Sequence, residues 1–506
     1  MKCILYCLVL LVTNCVMAQQ TKPTYTETYR PRFHFTPAVN WTNDPNGLLY
    51  VNGEYHLFYQ YNPFGNTWGH MTWAHAVSKD LLHWQHLPLA IREENRVMIF
   101  SGSAVADYTN SSGFAKKPGQ VPLVAVYTGH FIADSTKPDN YMQAQYIAYS
   151  LDNGRTWTKY SGNPVLDLHK KDFRDPKVFW YAPQKKWVMA VVLPHEHIVQ
   201  FYSSANLKQW KHTGNFGPDG DIKDIWECPD LLQVPVKGMF GQTKWVLLNS
   251  QQTTMQYFVG TFDGNSFTNE NPSSIVYRPD YGPDYYAAVT YNNIPAGQPP
   301  VLLGWVSNWT YAKDIPTNPW RSAMSLPRQL SLKKVNNAWI LLQQPLTAVQ
   351  TLRTNVVTLA NKTITGNLST TIKSQQLEAD VLLQPAVASQ CGIRLAAGND
   401  HAIEIGYDVA TQTLYMDRSK TSSQSFNAEF KKQNRFATKL ALKNGRIRLH
   451  VFFDNSIVEV FANEGEVVMT MQIFPEKNDN GIQLFSSNGA TQCINFKAWP
   501  LKTTWK

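Results

Sequence analysis

The sequence predicts an all-β protein in two parts, a β-propeller followed by a β-sandwich, and three observations carry that prediction. Helical periodicity is nearly absent after the first residues, while short β-rich runs recur, as at Tyr55–Tyr59, Val124–Tyr127, Lys186–Ala190 and Trp245–Leu248. Turn signals such as Asn52-Gly53, Asn153-Gly154 and Asp263-Gly264 separate many of these runs. A weak internal repeat runs through the first part, and cleaner apolar–polar alternation takes over after about Pro345.

The first residues read as an export signal over 1–18. Lys2 supplies a positive start, Ile4 to Val12 form an apolar run, and Val16-Met17-Ala18 offers a small-residue cleavage site. That run is too short for a permanent membrane span, and later apolar stretches are strand-length, so no transmembrane segment is expected. Cys15 follows the run, but Val12-Thr13-Asn14 make a poor lipoprotein signal, so a lipid anchor there is disfavoured. The protein is expected outside the cytoplasm, whether periplasmic, extracellular or on the cell surface.

The repeat defines the first part. Ser78-Lys79-Asp80-Leu81-Leu82-His83-Trp84 resembles the segments Ser150 to Trp157 and Ser203 to Trp210, and more loosely Phe262 to Phe267. Spacings of this order, with about four strands per unit, suggest propeller blades, each segment being the turn into an outer strand. Asp44 precedes Trp84 by 40 residues, Asp175 precedes Trp210 by 35, and Glu227 precedes Phe267 by 40. The three acids therefore share nearly the same phase of three blades and are expected around one mouth of the central channel. One acid at a strand end is usually only a cap; three in phase favour a site, because clustered carboxylates raise at least one pKa.

In the second part, Ile447–Phe453 and Ile457–Phe461 alternate as strands joined by a turn at Asp454-Asn455, which fits a sandwich of roughly 150 residues. Its acids read as surface or edge residues without chemistry. Beyond the leader only Cys228, Cys391 and Cys493 remain, too few for a disulfide framework, with Cys391 and Cys493 the one pair worth testing. The net charge of +9 is spread without dense Lys/Arg runs, which argues against nucleic-acid binding. Aromatics make up 13% of the chain, and many of the 16 Trp stand beside Asn, Asp, Gln or Gly, a pairing suited to sugar rings and hydroxyls.

Three motifs surround the acids. In Trp41-Thr42-Asn43-Asp44-Pro45-Asn46-Gly47 the Asp is flanked by Asn residues that can hold it ionised, as a nucleophile requires. In Phe173-Arg174-Asp175-Pro176 the Arg can pair with the acid or bind hydroxyls. In Trp226-Glu227-Cys228-Pro229-Asp230 the apolar neighbours suit a carboxyl kept protonated as a proton donor. No His/Cys/Asp cluster shows metal-ligand spacing, so neither metal nor organic cofactor is expected.

These motifs, with Phe58-Tyr59-Gln60-Tyr61-Asn62-Pro63, Trp68 to Trp73, Phe100-Ser101-Gly102-Ser103, Asp284 to Ala288, Gly304 to Trp309 and Pro319 to Arg328, closely resemble glycoside hydrolase family 32, the invertases, inulinases and levanases. The resemblance implies a five-bladed propeller, here residues 30–345, with a C-terminal β-sandwich, here 353–506. It implies a retaining fructosidase releasing terminal fructose from levan, inulin or sucrose, with Asp44 as nucleophile, Glu227 as acid/base and Asp175 stabilising the transition state. Asn43, Gln60, Trp68, Phe100, Ser101, Arg174 and Trp305 match residues lining the fructose pocket. Thr42 and Thr72 depart from the Met and His that related sequences often carry, which bears on fine specificity. The competing readings are an endo-acting levanase or inulinase, a fructosyltransferase with the same acids, and a fructan-binding protein without catalysis.

Overall fold

The computed structural model describes residues 24–134 and 136–505, so the expected leader and Cys15 lie outside the described residues. Five antiparallel sheets, each of four principal strands, are arranged as the blades of a propeller. The inner strands are Asn40–Val51, Val97–Ala106, Arg174–Tyr181, Glu227–Pro235 and Tyr286–Thr290. The ring closes where Trp320–Arg321 pairs in parallel with Asn40–Trp41, and where Asn292 exchanges backbone hydrogen bonds with Leu48 and Tyr50.

The repeat is a local hydrogen-bonding device. At the end of the third strand, Ser78 Oγ accepts from the Leu81 N–H (2.8 Å), while Asp80 accepts from those of Leu82 and His83. Ser204 and Asn206 do the same for Leu207, Lys208 and Gln209, and Ser150 with Asp152 makes the variant in the second blade. Such Ser/Asp turns satisfy backbone donors without a ladder and tolerate positive φ, seen at Leu81 (65°), Asn153 (57°) and Leu207 (63°). The aromatic that follows packs between blades, as when Trp157 meets Phe58 edge-on at 5.3 Å and Phe267 meets Phe216 at 5.1 Å.

The C-terminal sheets are joined by two long strands, Val357–Lys373 and Gly481–Pro500, which pair with each other along their length. One half of Gly481–Pro500 pairs with Gln390–Ala397 and the other with Gln376–Pro385, so both long strands pass from one layer to the next. The crossing falls at the register break between Ile364 and Gly366, where a bulge lets strands turn a sandwich corner. Cys391 and Cys493 are both free and buried in the core between the layers.

The layer ending in Ile447–Asp454, Ile457–Ala462 and Val467–Gln472 is covered on both faces, because Phe452, Phe461 and Val468 pack on Phe33, Leu82 and Leu326 of the first part. This corrects the expectation that the acids of this part lie at its surface: Asp454 and Glu459 are fully buried. Glu459 accepts from Arg328 Nη2 (2.6 Å) and from the Leu326 N–H, and pairs with His34 Nε2 (3.0 Å). Asp454 takes the other ring nitrogen of His34 at 2.8 Å. Burial works against a charged His34, but the two carboxylates prevail and hold its pKa up at about 9.

A second buried arginine extends the junction. Arg328 Nη1 donates to Asp280 (3.0 Å) and its guanidinium lies 3.9 Å from the Tyr285 ring centroid. Arg418 donates to Asp284 (2.9 Å) and to the backbone of Gln472. Removing one member of such a network strands the others without counter-charge. Arg328→Met is therefore expected to destabilise the protein by about 3–5 kcal/mol, measured as a lower thermal midpoint; wild-type melting would show that the junction is not held by this pair.

Candidate active site

Each inner strand carries at least one residue more than its neighbour can pair, and Asn40–Val51 carries a second between Asn46 and Leu49. The registers break between Thr42 and Pro45, Ile99 and Gly102, Arg174 and Lys177, Glu227 and Asp230, and Tyr286 and Val289. These five bulges lie near the N-terminal ends of four inner strands and midway along the second, and they re-aim side chains toward the axis. Three of them contain proline (Pro45 at the rim, Pro176, Pro229), which cannot donate to a ladder. Glu227 is the paired residue just before its bulge, Asp175 the first residue within its own, and Asp44 the second. The acids thus step by one residue each in phase, where the sequence spacing suggested near equality, and still meet at one end of the channel.

The meeting is tight. Asp44 Oδ2 accepts from Ser101 Oγ at 2.6 Å, and Asp44 Oδ1 accepts from Asn43 Nδ2 at 3.0 Å. Asn43 is fixed in turn by the Trp41 indole N–H (2.8 Å). The Cys228 thiol stands between Asp44 (3.5 Å) and Asp175 (3.7 Å), and the Cys228 N–H donates to Asp175 at 3.0 Å. Arg174 donates to Glu227 Oε1 through Nε (3.1 Å) and to Asp172 through Nη1 (2.7 Å), with Asp175 3.9 Å away. The Tyr286 hydroxyl donates to Glu227 Oε2.

A cavity of about 450 Å³ opens onto these groups. Asn43, Gln60, Trp68, Phe100, Ser101 and Arg174 all line it, as do the three acids. Trp305 does not: it is fully buried behind Trp41 and Trp309, and Trp309 takes the wall instead. The Gln60 amide nitrogen has no protein partner. Behind the acids the channel keeps only about 20 Å³, room for about one water. Farther along the axis, Lys177 pairs with Asp230 at 3.1 Å and donates to the Thr290 carbonyl. The cavity is therefore blind.

The electrostatics follow from burial and crowding. Burial pushes the Asp44 carboxyl above its ordinary pKa, opposed by the Ser101 and Asn43 hydrogen bonds and reinforced by the charge of Glu227. Of the two flanking Asn residues on which the sequence expectation of a held carboxylate rested, Asn43 donates to it and Asn46 donates to the Asp44 backbone carbonyl instead, and desolvation outweighs the help that remains. Asp175 is pushed up to about 7 by burial; Arg174 pulls down, while Glu227 and Asp44 push up. The apolar surround expected for Glu227 is not found, since Trp226 points away to the Asp221 carbonyl and Cys228 faces the other two acids. Arg174 and Tyr286 surround it instead.

Sequence reasoning did not single out Cys228, Tyr286, Asp172, Gln143, His130 or Trp309 as site residues, although Cys228, Tyr286 and Trp309 sit inside the quoted motifs. Asp172 precedes its motif by one residue, and the only available signal was adjacency. Gln143 and His130 arrive from the middle strands of the second blade, where only pairing registers reveal them.

The model for the N-terminal domain of glycosyl hydrolases family 32 matches residues 34–345, and that for the family's C-terminal domain matches 348–500. The chain is 45% identical to a levanase of Bacillus subtilis over 500 residues, 95% of this chain and 72% of that protein. It is 38% identical to an extracellular exo-inulinase of Aspergillus ficuum, covering 98% of both. The crystal structure of the exo-inulinase from Aspergillus awamori superposes with a TM-score of 0.89 at 38% identity, over 95% of this chain and all of that one.

The raised Asp175 pKa has a stability cost with a defined sign. A carboxyl whose folded pKa, about 7, exceeds its unfolded value binds more protons folded than unfolded, so stability falls as pH rises between about 4 and 7. Asp175→Asn removes that penalty while keeping an acceptor for the Cys228 N–H. The variant is expected to melt a few degrees above wild type at pH 8 and to lose the advantage at pH 4; an equal shift at both would refute the electrostatic origin.

Proposed function

Because the chain belongs to glycosyl hydrolase family 32, we propose that it is a retaining exo-acting fructosidase that removes terminal β-fructose from levan or inulin, and from sucrose. The observation that carries this is the convergence of three carboxylates at the blind end of one cavity. A blind end accommodates a chain terminus and excludes a polymer threading past the acids, which favours exo over endo action. The levanase and exo-inulinase relatives support fructan as the substrate class.

In this reading Asp44 attacks C2 of the bound fructose while Glu227 gives its proton to the departing oxygen, leaving a fructosyl ester on Asp44. Glu227 then takes a proton from water, which attacks C2 and releases fructose with its configuration retained. Ser101 and Asn43 fix the attacking carboxylate. The Tyr286 hydroxyl can donate or accept, so it serves Glu227 both as carboxylate and as acid. Asp175 takes the fructose hydroxyls, and Trp68 and Phe100 present ring surface to the sugar's C–H face. Trp305 backs this wall from behind. We take residues 30–345 as the catalytic unit and 353–506 as the sandwich unit.

Among the described residues no helix is long and apolar enough to cross a membrane. We read the protein as exported, which the extracellular exo-inulinase relative supports. The test is product analysis on levan, inulin and sucrose. Fructose alone is expected at early times, with Asp44→Asn and Glu227→Gln each losing at least about 10³-fold in kcat/KM. Early oligosaccharides would reject exo action, and a fully active Glu227→Gln would reject the assignment of the acid.

A further inference from the structure

His130 lies in the strand Leu123–Ile132, the second of its blade, and its ring lines the cavity. Both ring faces are covered, by Phe100 at 4.4 Å and Tyr141 at 4.5 Å between centroids. Its tautomer is fixed by a chain of contacts. Gln143 Oε1 accepts from the Phe173 N–H (3.1 Å) and from Arg174 Nη1 (3.3 Å), so that atom is the oxygen and the other is the NH₂. The NH₂ lies 3.2 Å from His130 Nδ1, which must therefore accept. The proton of the neutral ring sits on Nε2. Burial, helped by the positive Arg174, lowers the ring's pKa to about 4, in keeping with a neutral donor. Among the described residues no acceptor lies within hydrogen-bonding distance of Nε2, and that atom is not among the buried polar atoms sealed without a partner. A ring only 7% exposed thus keeps one donor edge, open to the cavity.

Depth decides which sugar that edge meets. His130 pairs across the sheet with Met98, three residues nearer the mouth than Ser101, which holds Asp44. It is joined through Gln143 to Arg174, which holds Glu227, the group that delivers a proton to the departing oxygen in the reading above.

We propose that His130 Nε2–H donates a hydrogen bond to an oxygen of the leaving-group sugar, making His130 a specificity-determining residue for the sugar that follows the scissile bond. This rests on the fructosidase reading, and the test separates the two. β-D-Fructofuranosyl fluoride carries the same fructose with no leaving sugar. His130→Phe keeps a ring stacked between Phe100 and Tyr141 and removes the donor. Its kcat/KM on sucrose and on short levan and inulin oligomers is expected to fall roughly ten-fold more than on the fluoride. Equal falls on all substrates, or no fall on any, would overturn the proposal; a wild type inert toward the fluoride would instead overturn the fructosidase reading beneath it. A second measurement needs no change at His130. In Asp44→Asn protein labelled with 15N-histidine, sucrose is expected to shift the His130 Nε2 resonance, and fructose alone to leave it in place. A shift of equal size with fructose would place the contact in the fructose pocket and refute the assignment.

Discussion

The site rests on a mismatch of count: every inner strand has at least one more residue than its neighbour can pair. A regular strand sends alternate side chains into the two faces of its blade, where they meet the next blade. Only an interruption turns them toward the axis. The five breaks supply Asn43 and Asp44, Phe100 and Ser101, Arg174 and Asp175, Glu227 and Cys228, and Tyr286 at one end of the channel. Left-handed backbone at Asp175 (φ 67°), Cys228 (φ 48°) and Ala287 (φ 50°) accompanies three of them. None of these is a glycine, and such residues cost of order 1–2 kcal/mol each. The blades on either side hold them there.

Gathering three carboxylates in a buried place is the second cost, and the protein offsets it with donors that leave the acids accessible. One arginine touches Glu227 and Asp172 and lies near Asp175; one backbone N–H and one thiol at Cys228 serve Asp175 and Asp44. The compensation is partial, as the raised pKa values of Asp44 and Asp175 show. Full compensation by a second arginine would fill the space a sugar must occupy. Under-neutralised acids in a blind cavity are what a ligand rich in hydroxyls can complete.

Much of this was legible in the sequence where the governing interaction is local. The Ser-x-Asp and Ser-x-Asn turns are written in side chains that bond their own backbone within five residues, so the repeat announced the blades. Three blades announced themselves this way, and the fourth more loosely, through Asp263 accepting from the Asn265 and Ser266 N–H groups. The fifth joins Arg328–Val335 to Ala338–Pro345 through Asn336 with φ 52°, a different turn, and its count came from family resemblance alone. The prolines after Asp44, Asp175 and Cys228 marked places where a ladder must fail. The buried state of Asp454 and Glu459 was illegible, because their partners His34 and Arg328 are more than 100 residues away and the alternation around them is that of any half-exposed strand. Gln143 and His130 were hidden for the same reason, since register places them and no neighbour names them.

The charged junction reaches farther than the join it makes. Arg418 and Thr470 of the sandwich grip Asp284 and Asp280, and two residues past Asp284 stands Tyr286, whose hydroxyl rests on Glu227. The segment carrying one wall of the site is therefore anchored from the far module. Two separable-looking pieces are thus coupled through buried charge at their seam. Exchange of the second half for a stranger's would have to bring matching bases and acids at every buried position, or the first half would lose the backing of its own chemistry.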